Sequence, residues 1–430
     1  MKKNSYRINP IKKIEGEIIV PGDKSISHRA VMLGAIASGN TSIKNFLMAE
    51  DCIATINAFK NMGVSVDIGE IVKVGGRGLK GLKKPGTELY LGNSGTSIRL
   101  LLGILAGQDF DAVLTGDESL SSRPMKRVTA PLREMGARIE GKDDANFAPL
   151  KVHGGTLKAI AYNSPVSSAQ IKSAILLAGL YAEGTTSVAE PVKSRDHTER
   201  MLKLFGADVV LDGLRVSVGE SRILKGRDID VPGDISSAAF FIIAALLLGG
   251  SRITLKHVGV NETRTGIIDI LRRMGGKIEM KMLKNDWEPT ADITVSSGGL
   301  HGTTITKEEI PRSIDELPAI MIAAAFAKGR TVIKGAGELR VKETDRIESM
   351  RSNLKKMGGD LLSDGDDIII EGRDDLNGAE FSSFGDHRTA MAMAIAALRA
   401  SGGSVINDIA CVSTSFPEFF DILKSISASK

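Results

Sequence analysis

Cysteine is scarce in this chain: of 430 residues only Cys52 and Cys411 carry a thiol, far apart and in no metal-ligand spacing. That usage suits a reducing compartment and gives no sign of a metal site. An excess of one charge is also missing, with 56 basic against 52 acidic side chains and a formal net charge of +4. No polybasic tail therefore points to nucleic acid or to a membrane surface. The longest apolar run, Ala238 to Leu248, is well short of the roughly 20 residues a membrane span needs. The basic start MKKNSYRINPIKKIEGEIIVPG lacks the apolar stretch of a secretory signal, so a soluble cytoplasmic protein is expected. No Walker loop, Rossmann fingerprint, HExxH motif or nucleophile elbow is present.

What the chain does have is a repeat. Six times an Ala/Leu/Met-rich helical segment runs toward a glycine, at Gly39, Gly107, Gly184, Gly250, Gly329 and Gly403, at intervals of 68, 77, 66, 79 and 74 residues. A β-branched strand, a polar loop and a second helix follow. Five of these second helices run into Met62-Gly63, Met135-Gly136, Phe205-Gly206, Met274-Gly275 and Met357-Gly358, and the sixth ends near Leu423. A period this regular means each copy is one supersecondary unit. The first helices, such as Ala319–Ala327 and Ala390–Leu398, are apolar all round and should be buried on all sides, whereas Thr265–Met274 and Ile347–Met357 are amphipathic. An α/β fold with buried helices, surrounding sheets and outer helices is expected.

A larger division is legible too. Val20-Pro21-Gly22-Asp23-Lys24-Ser25 returns as Val231-Pro232-Gly233-Asp234-Ile235-Ser236, three repeat lengths later. In each, a strand ends in Pro-Gly and an Asp/Ser cap opens a buried helix. Two domains of three units each are expected, residues 21–232 and residues 1–20 plus 233–430. The first 20 residues would join the second group as a strand pair, and two crossings would form a hinge beside a cleft.

Function should lie where the copies differ, just before the first helix (GDKSISHR, GNSGTSIR, SPVSSAQIK, PGDISS, RSIDELP, FGDHR) and in the loop before the second. Helix N-termini carry unpaired N–H groups and roughly half a positive charge, which suits anions. Lys24, His28, Arg29, Arg99, Lys172, His387 and Arg388 add cations at these starts, and Arg123, Lys193, Arg195, Lys342 and Arg346 add them in the second loops. A small substrate with several phosphate or carboxylate groups is implied. Among these cations stand two carboxylates, Asp315 and Glu343, which fit either acid–base work or a helix cap and an ion pair. Ser167-Ser168-Ala169-Gln170 fits a simple N-cap or phosphate and hydroxyl binding, and Gly92-Asn93-Ser94-Gly95-Thr96 alone is a weak signal.

Taken in order, VPGDKSISHR, LGNSGTSIRLL, LTGDESLSSRPMKRV, SSAQIKSAILLAGL, SRDHTERML, IDELPA, ELRVKETDRI and GDHRTAMA closely resemble the 5-enolpyruvylshikimate-3-phosphate synthases, in the bacterial branch often called class II. The resemblance implies two domains of three βαβαββ units with an inside-out arrangement of buried helices, joined by a double crossover. It implies transfer of the enolpyruvyl group of phosphoenolpyruvate to the 5-hydroxyl of shikimate 3-phosphate, with release of phosphate and with no metal or organic cofactor. By the same resemblance Lys24, Ser25, Arg29, Ser168, Gln170, Arg195, Asp315 and Lys342 hold shikimate 3-phosphate, and Lys24, Gly95, Arg123, Gln170, Arg346 and Arg388 hold phosphoenolpyruvate. Asp315 would take the 5-hydroxyl proton, Glu343 and Lys24 are candidates for the proton at the methylene carbon, and Asn93 and His387 would support the site. A monomer is expected, with no partner beyond these two substrates.

Two departures stand out. Ala169 occupies a place where many members have a second serine, and Ser413-Thr414-Ser415 replace a lysine found shortly before the final Phe-Pro in some. Within the same fold the alternative is a UDP-N-acetylglucosamine 1-carboxyvinyltransferase, which places a cysteine in the loop matching Gly116–Arg123; here that loop reads GDESLSSR. An RNA 3′-phosphate cyclase, needing ATP and a nucleophilic histidine, is the reading from a different class.

Overall fold

The structure is a computed structural model that describes residues 4–284 and 287–427. The chain forms two compact units, Gly22–Val231 and Met1–Pro21 with Pro232–Lys430.

Each unit is built from three copies of one pattern. In the repeat that begins at Pro232, strand Glu15–Ile19 lies parallel to Arg252–Gly259, which pairs antiparallel with Thr290–Ser296, and that strand pairs antiparallel with Lys277–Leu283. The next copy uses Thr304–Ile305, Arg330–Ile333, Asp367–Glu371 and Asp360–Asp364 in the same order. In the Gly22–Val231 unit the same four-stranded order recurs in three sheets. The first of these takes its parallel edge strand, Asp228–Asp230, from the far end of the segment, paired with Ser42–Lys44. The expected N-terminal strand pair is not a pair. Ser5–Ile8 joins Ser404–Asn407 in the last sheet, while Glu15–Ile19 joins the sheet of Arg252–Gly259. Each strand fills the edge position that its own repeat lacks, and so the chain enters one unit, builds the other and returns.

The six first helices are Lys24–Ile36, Gly95–Ala106, Ala169–Gly179, Ile235–Leu247, Leu317–Ala325 and His387–Arg399. All thirteen residues of Ile235–Leu247 and all nine of Leu317–Ala325 are buried, as an all-apolar helix requires. Five of the six starts carry a side-chain cap, at Asp23, Ser94, Ser168, Asp234 and Asp386. Close helix contact is made possible at Gly103, where a Cβ would stand 2.2 Å from the Ala174 carbonyl oxygen of the neighbouring buried helix. A ring cluster of Phe240, Phe241, Phe416 and Phe419, with centroids 5.5–6.0 Å apart, packs the C-terminal helix Phe419–Ser427 onto Ile235–Leu247.

The second helices end where the sequence indicates. Gly63, Gly136, Gly206, Gly275 and Gly358 all have φ between 84° and 102°, the left-handed C′ position that only glycine adopts without strain. The glycines after the first helices are less uniform. Gly39, Gly184, Gly250 and Gly329 are left-handed, Gly107 is not, and in the last copy Gly402 rather than Gly403 takes that conformation.

Candidate active site

In the Gly22–Val231 unit, side chains at the starts of the three buried helices bond to one another, so the three N-termini converge. Arg29, buried in the second turn of its helix, donates from Nε to Thr198 Oγ1 (2.7 Å), from Nη2 to Ser173 Oγ (2.9 Å) and from Nη1 to the Ser25 carbonyl (2.9 Å). Arg99 donates from Nη1 to Gln170 Oε1 (3.0 Å), and Gln170 Nε2 donates to Thr96 Oγ1 (3.2 Å). His28 Nδ1 lies 2.7 Å from Thr55 Oγ1, which continues through Ser97 to Ser94 in steps of 2.6 Å. This chain of hydroxyls links the first helix to the Asn-Ser-Gly-Thr turn.

Burial pushes the pKa of His28 well below its ordinary 6.5, and the Lys24 and Arg29 charges push the same way. His28 is therefore a neutral packing residue and not one of the expected cations. Lys172 is likewise withdrawn from any anion. It is buried, with Nζ 2.8 Å from Glu190 and 2.7 Å from Glu199. Burial disfavours its charge, but the two glutamates outweigh that and hold its pKa above the ordinary lysine value. Burial raises the Glu199 pKa, while Lys172 pulls it back down. Both corrections come from burial: it neutralises His28 and, for Lys172, brings two glutamates from elsewhere in the chain.

Around the Gly95 turn two guanidinium groups close in. A Cβ on Gly95 would lie 2.7 Å from Arg99 Nη1 and 3.1 Å from Arg123 Nη1. Arg123, also buried, donates to Asn93 Oδ1 and to Ser119 Oγ (3.1 Å), and Asn93 donates to Asp117 (2.9 Å). Asn93 thus links Arg123 to Asp117. Lys24, half-buried on the first helical turn, pairs with Asp51 at 2.9 Å, a partner that sequence reading missed. Ser168 caps its helix and its own N–H donates to Glu190 Oε1 at 3.0 Å. Ser25 and Arg195 are half-buried in the same unit.

The other unit brings together Asp315, Lys342, Glu343, Arg346 and Arg388. Arg346 is only 1% exposed and is the hub, donating from Nε to Asp386 (2.7 Å), from Nη2 to Glu343 (2.6 Å) and from Nη1 to Asp315 (3.4 Å). Burial works against its charge, yet Asp386, Glu343 and Asp315 outweigh it and keep the guanidinium firmly protonated. Arg388 donates from Nη1 to the Asp315 carbonyl (2.9 Å) and holds Nη2 3.7 Å from the Asp315 carboxylate. Asp315 faces both arginines and Glu343 faces Arg346, and each keeps 19% of its side-chain surface exposed. Lys342 is half-buried with its pKa lowered, by loss of solvent first and by Arg346 next, while Asp315 and Glu343 pull it back up. Its proton is thus held less tightly than an exposed lysine's. His387 lies beside the replaced lysine segment, with Thr414 Oγ1 3.4 Å from its Nδ1.

Chemically, this unit offers two part-exposed carboxylates, one held by two guanidinium groups and one by a single guanidinium, with a lysine of lowered pKa beside them. The first unit offers amide, hydroxyl and guanidinium donors at three converging helix starts. That inventory matches acid–base chemistry on a polyanion. Sequence reading missed Asp51, Glu190 and Asp386, which orient the named residues. Asp386 had a visible signal, as the cap in the GDHR motif.

Comparison with known proteins gives a consistent result. Residues 8–423 match the family model described as EPSP synthase (3-phosphoshikimate 1-carboxyvinyltransferase). The chain is 54% identical to a 3-phosphoshikimate 1-carboxyvinyltransferase of Geobacter metallireducens, with 99% of each chain covered. It is 55% identical to one of Pelobacter propionicus, with 98% of each covered. Among solved structures it is similar to EPSP synthase from Acinetobacter baumannii, with a TM-score of 0.87, 48% identity and 98% of each chain covered.

Proposed function

We infer, because this chain belongs to the EPSP synthase family, that it transfers the enolpyruvyl group of phosphoenolpyruvate to the 5-hydroxyl of shikimate 3-phosphate and releases phosphate. The observation that carries the mechanistic reading is the placement of two part-exposed carboxylates, Asp315 on Arg346 and Arg388 and Glu343 on Arg346.

In the proposed reaction the 5-hydroxyl oxygen bonds to C2 of phosphoenolpyruvate, its proton leaves to Asp315, and a proton is added at the methylene carbon. The product of addition is a tetrahedral ketal. A proton is then removed from the new methyl group, the C2–O bond to phosphate breaks, and the enol ether and inorganic phosphate result. Glu343 and Lys24 are the proposed carriers at the methylene carbon. Arg346 and Arg388, with Arg123, Gln170, Lys24 and the side-chain-free Gly95, would receive phosphoenolpyruvate. Shikimate 3-phosphate would be held by Lys24, Ser25, Arg29, Ser168, Gln170, Arg195, Asp315 and Lys342. This assignment draws its residues from both units of the chain.

A coupled assay for phosphate release tests the reading. Release is expected with shikimate 3-phosphate and phosphoenolpyruvate without added metal or nucleotide. Release with UDP-N-acetylglucosamine as acceptor, and none with shikimate 3-phosphate, would contradict it.

A further inference from the structure

Next to Asp315 stands a second carboxylate with the opposite environment. Glu316 is completely buried, and although it occupies the cap position of Leu317–Ala325 its side chain does not cap that helix. It turns instead to the neighbouring repeat, where Ser236 Oγ donates to its Oε1 and Arg264 Nη2 lies 3.7 Å away. The Ser236 hydroxyl in turn accepts from Arg264 Nη2 at 2.7 Å, and the same nitrogen reaches Asp234 at 3.2 Å. Asp234 caps the first helix of that repeat through the Ser236 N–H at 2.8 Å. All four side chains are buried.

The arrangement has a counterpart within the same unit. Arg264, just before the second helix Gly266–Arg273, joins the first-helix start of its own repeat (Asp234, Ser236) to that of the next (Glu316). Arg346, at the start of the following second helix, does the same one repeat on, joining Asp315 to Asp386. One arginine bridge meets the accessible carboxylate Asp315; the other grips its buried neighbour. Consecutive residues are thus held by two different arginines.

We propose that Arg264, Ser236 and Glu316 form a positioning clamp for Asp315, fixing its carboxylate for proton transfer without touching substrate. The inference rests on the reading of Asp315 as the group that takes the acceptor proton. A buried carboxylate is costly to hold unless its partners fix it, so Glu316 has few alternative positions. Small displacements of a reacting group cost rate far more than binding.

The test is a double-mutant cycle of Glu316→Gln with Asp315→Asn, read as kcat and as KM for both substrates. Glu316→Gln alone should lower kcat roughly tenfold or more and leave both KM values within about threefold. In the Asp315→Asn background the same change should leave kcat within about twofold, because there is no carboxylate left to aim. If Glu316→Gln does not fold, Ser236→Ala removes only the connecting hydroxyl and enters the same cycle with the same expectation. Equal losses with and without Asp315, or a raised KM at unchanged kcat, overturn the clamp alone. Unchanged kcat in Asp315→Asn by itself overturns the role of Asp315 and the clamp with it.

Discussion

At the scale of single residues, Asp315 is the proposed proton acceptor and Gly95 the point where a side chain would crowd Arg99 and Arg123. Asp315→Asn should keep shikimate 3-phosphate binding and lower turnover by roughly 10²–10⁴-fold, the range for general acid–base catalysis; steady-state kinetics with a binding titration check it. Gly95→Ala would drive its methyl against Arg99 and Arg123, so KM for phosphoenolpyruvate should rise while KM for shikimate 3-phosphate changes little. An unchanged KM for phosphoenolpyruvate would place that substrate elsewhere. His28 provides a pH signature. Its pKa is depressed in the folded protein, so its contribution to stability is present above pH 6.5 and is lost as pH falls below that value, where the unfolded chain binds a proton and the folded one does not. Denaturant melts at several pH values should show a shallower loss below pH 6.5 for His28→Gln than for the parent, and identical slopes would show that His28 is not held neutral. The residue types of the candidate site were legible because they crowd short polar loops. Their partners were not: Lys172 looks like a free cation until packing brings Glu190 and Glu199 to it, and Arg264 gives no sign in sequence that it reaches Ser236.

Elements were more legible than contacts, because caps and periodicity are local. Asp23, Asp234 and Asp386 announce helix starts, and the Met-Gly or Phe-Gly pairs announce helix ends with glycine in the left-handed region. The local rule predicts a local cost. Gly206→Ala, at φ 102°, should destabilise the chain by about 1 kcal/mol in denaturant titration, while Gly155→Ala, with open space at its Cβ, should be close to neutral. Equal effects would mean the C′ conformation is not what those glycines supply. What the sequence did not reveal is which sheet the N-terminal strands enter. Ser5–Ile8 and Glu15–Ile19 read as a pair because they are near neighbours, yet each completes a different sheet. Pairing partners hundreds of residues away leave no mark in local pattern.

For the whole molecule, the recurring Val-Pro-Gly-Asp segments mark the points where the chain passes between Gly22–Val231 and the remainder. The central proposal is that both units serve one site, Lys24, Arg29, Arg123 and Gln170 from one and Asp315, Lys342, Arg346 and Arg388 from the other. Arg123→Ala and Arg388→Ala, one in each unit, should then both weaken phosphoenolpyruvate binding, each by roughly 1.5–3 kcal/mol for a lost charge-assisted contact. A rise in KM for only one of them would confine that ligand to a single unit. On that proposal, a polyanion that engages both sets favours a closed arrangement and shifts the population toward it. Small-angle scattering of the active enzyme, with and without saturating shikimate 3-phosphate, measures this directly. The radius of gyration should shrink on adding the ligand; an unchanged radius in an enzyme that turns over would mean that the site lies within one unit.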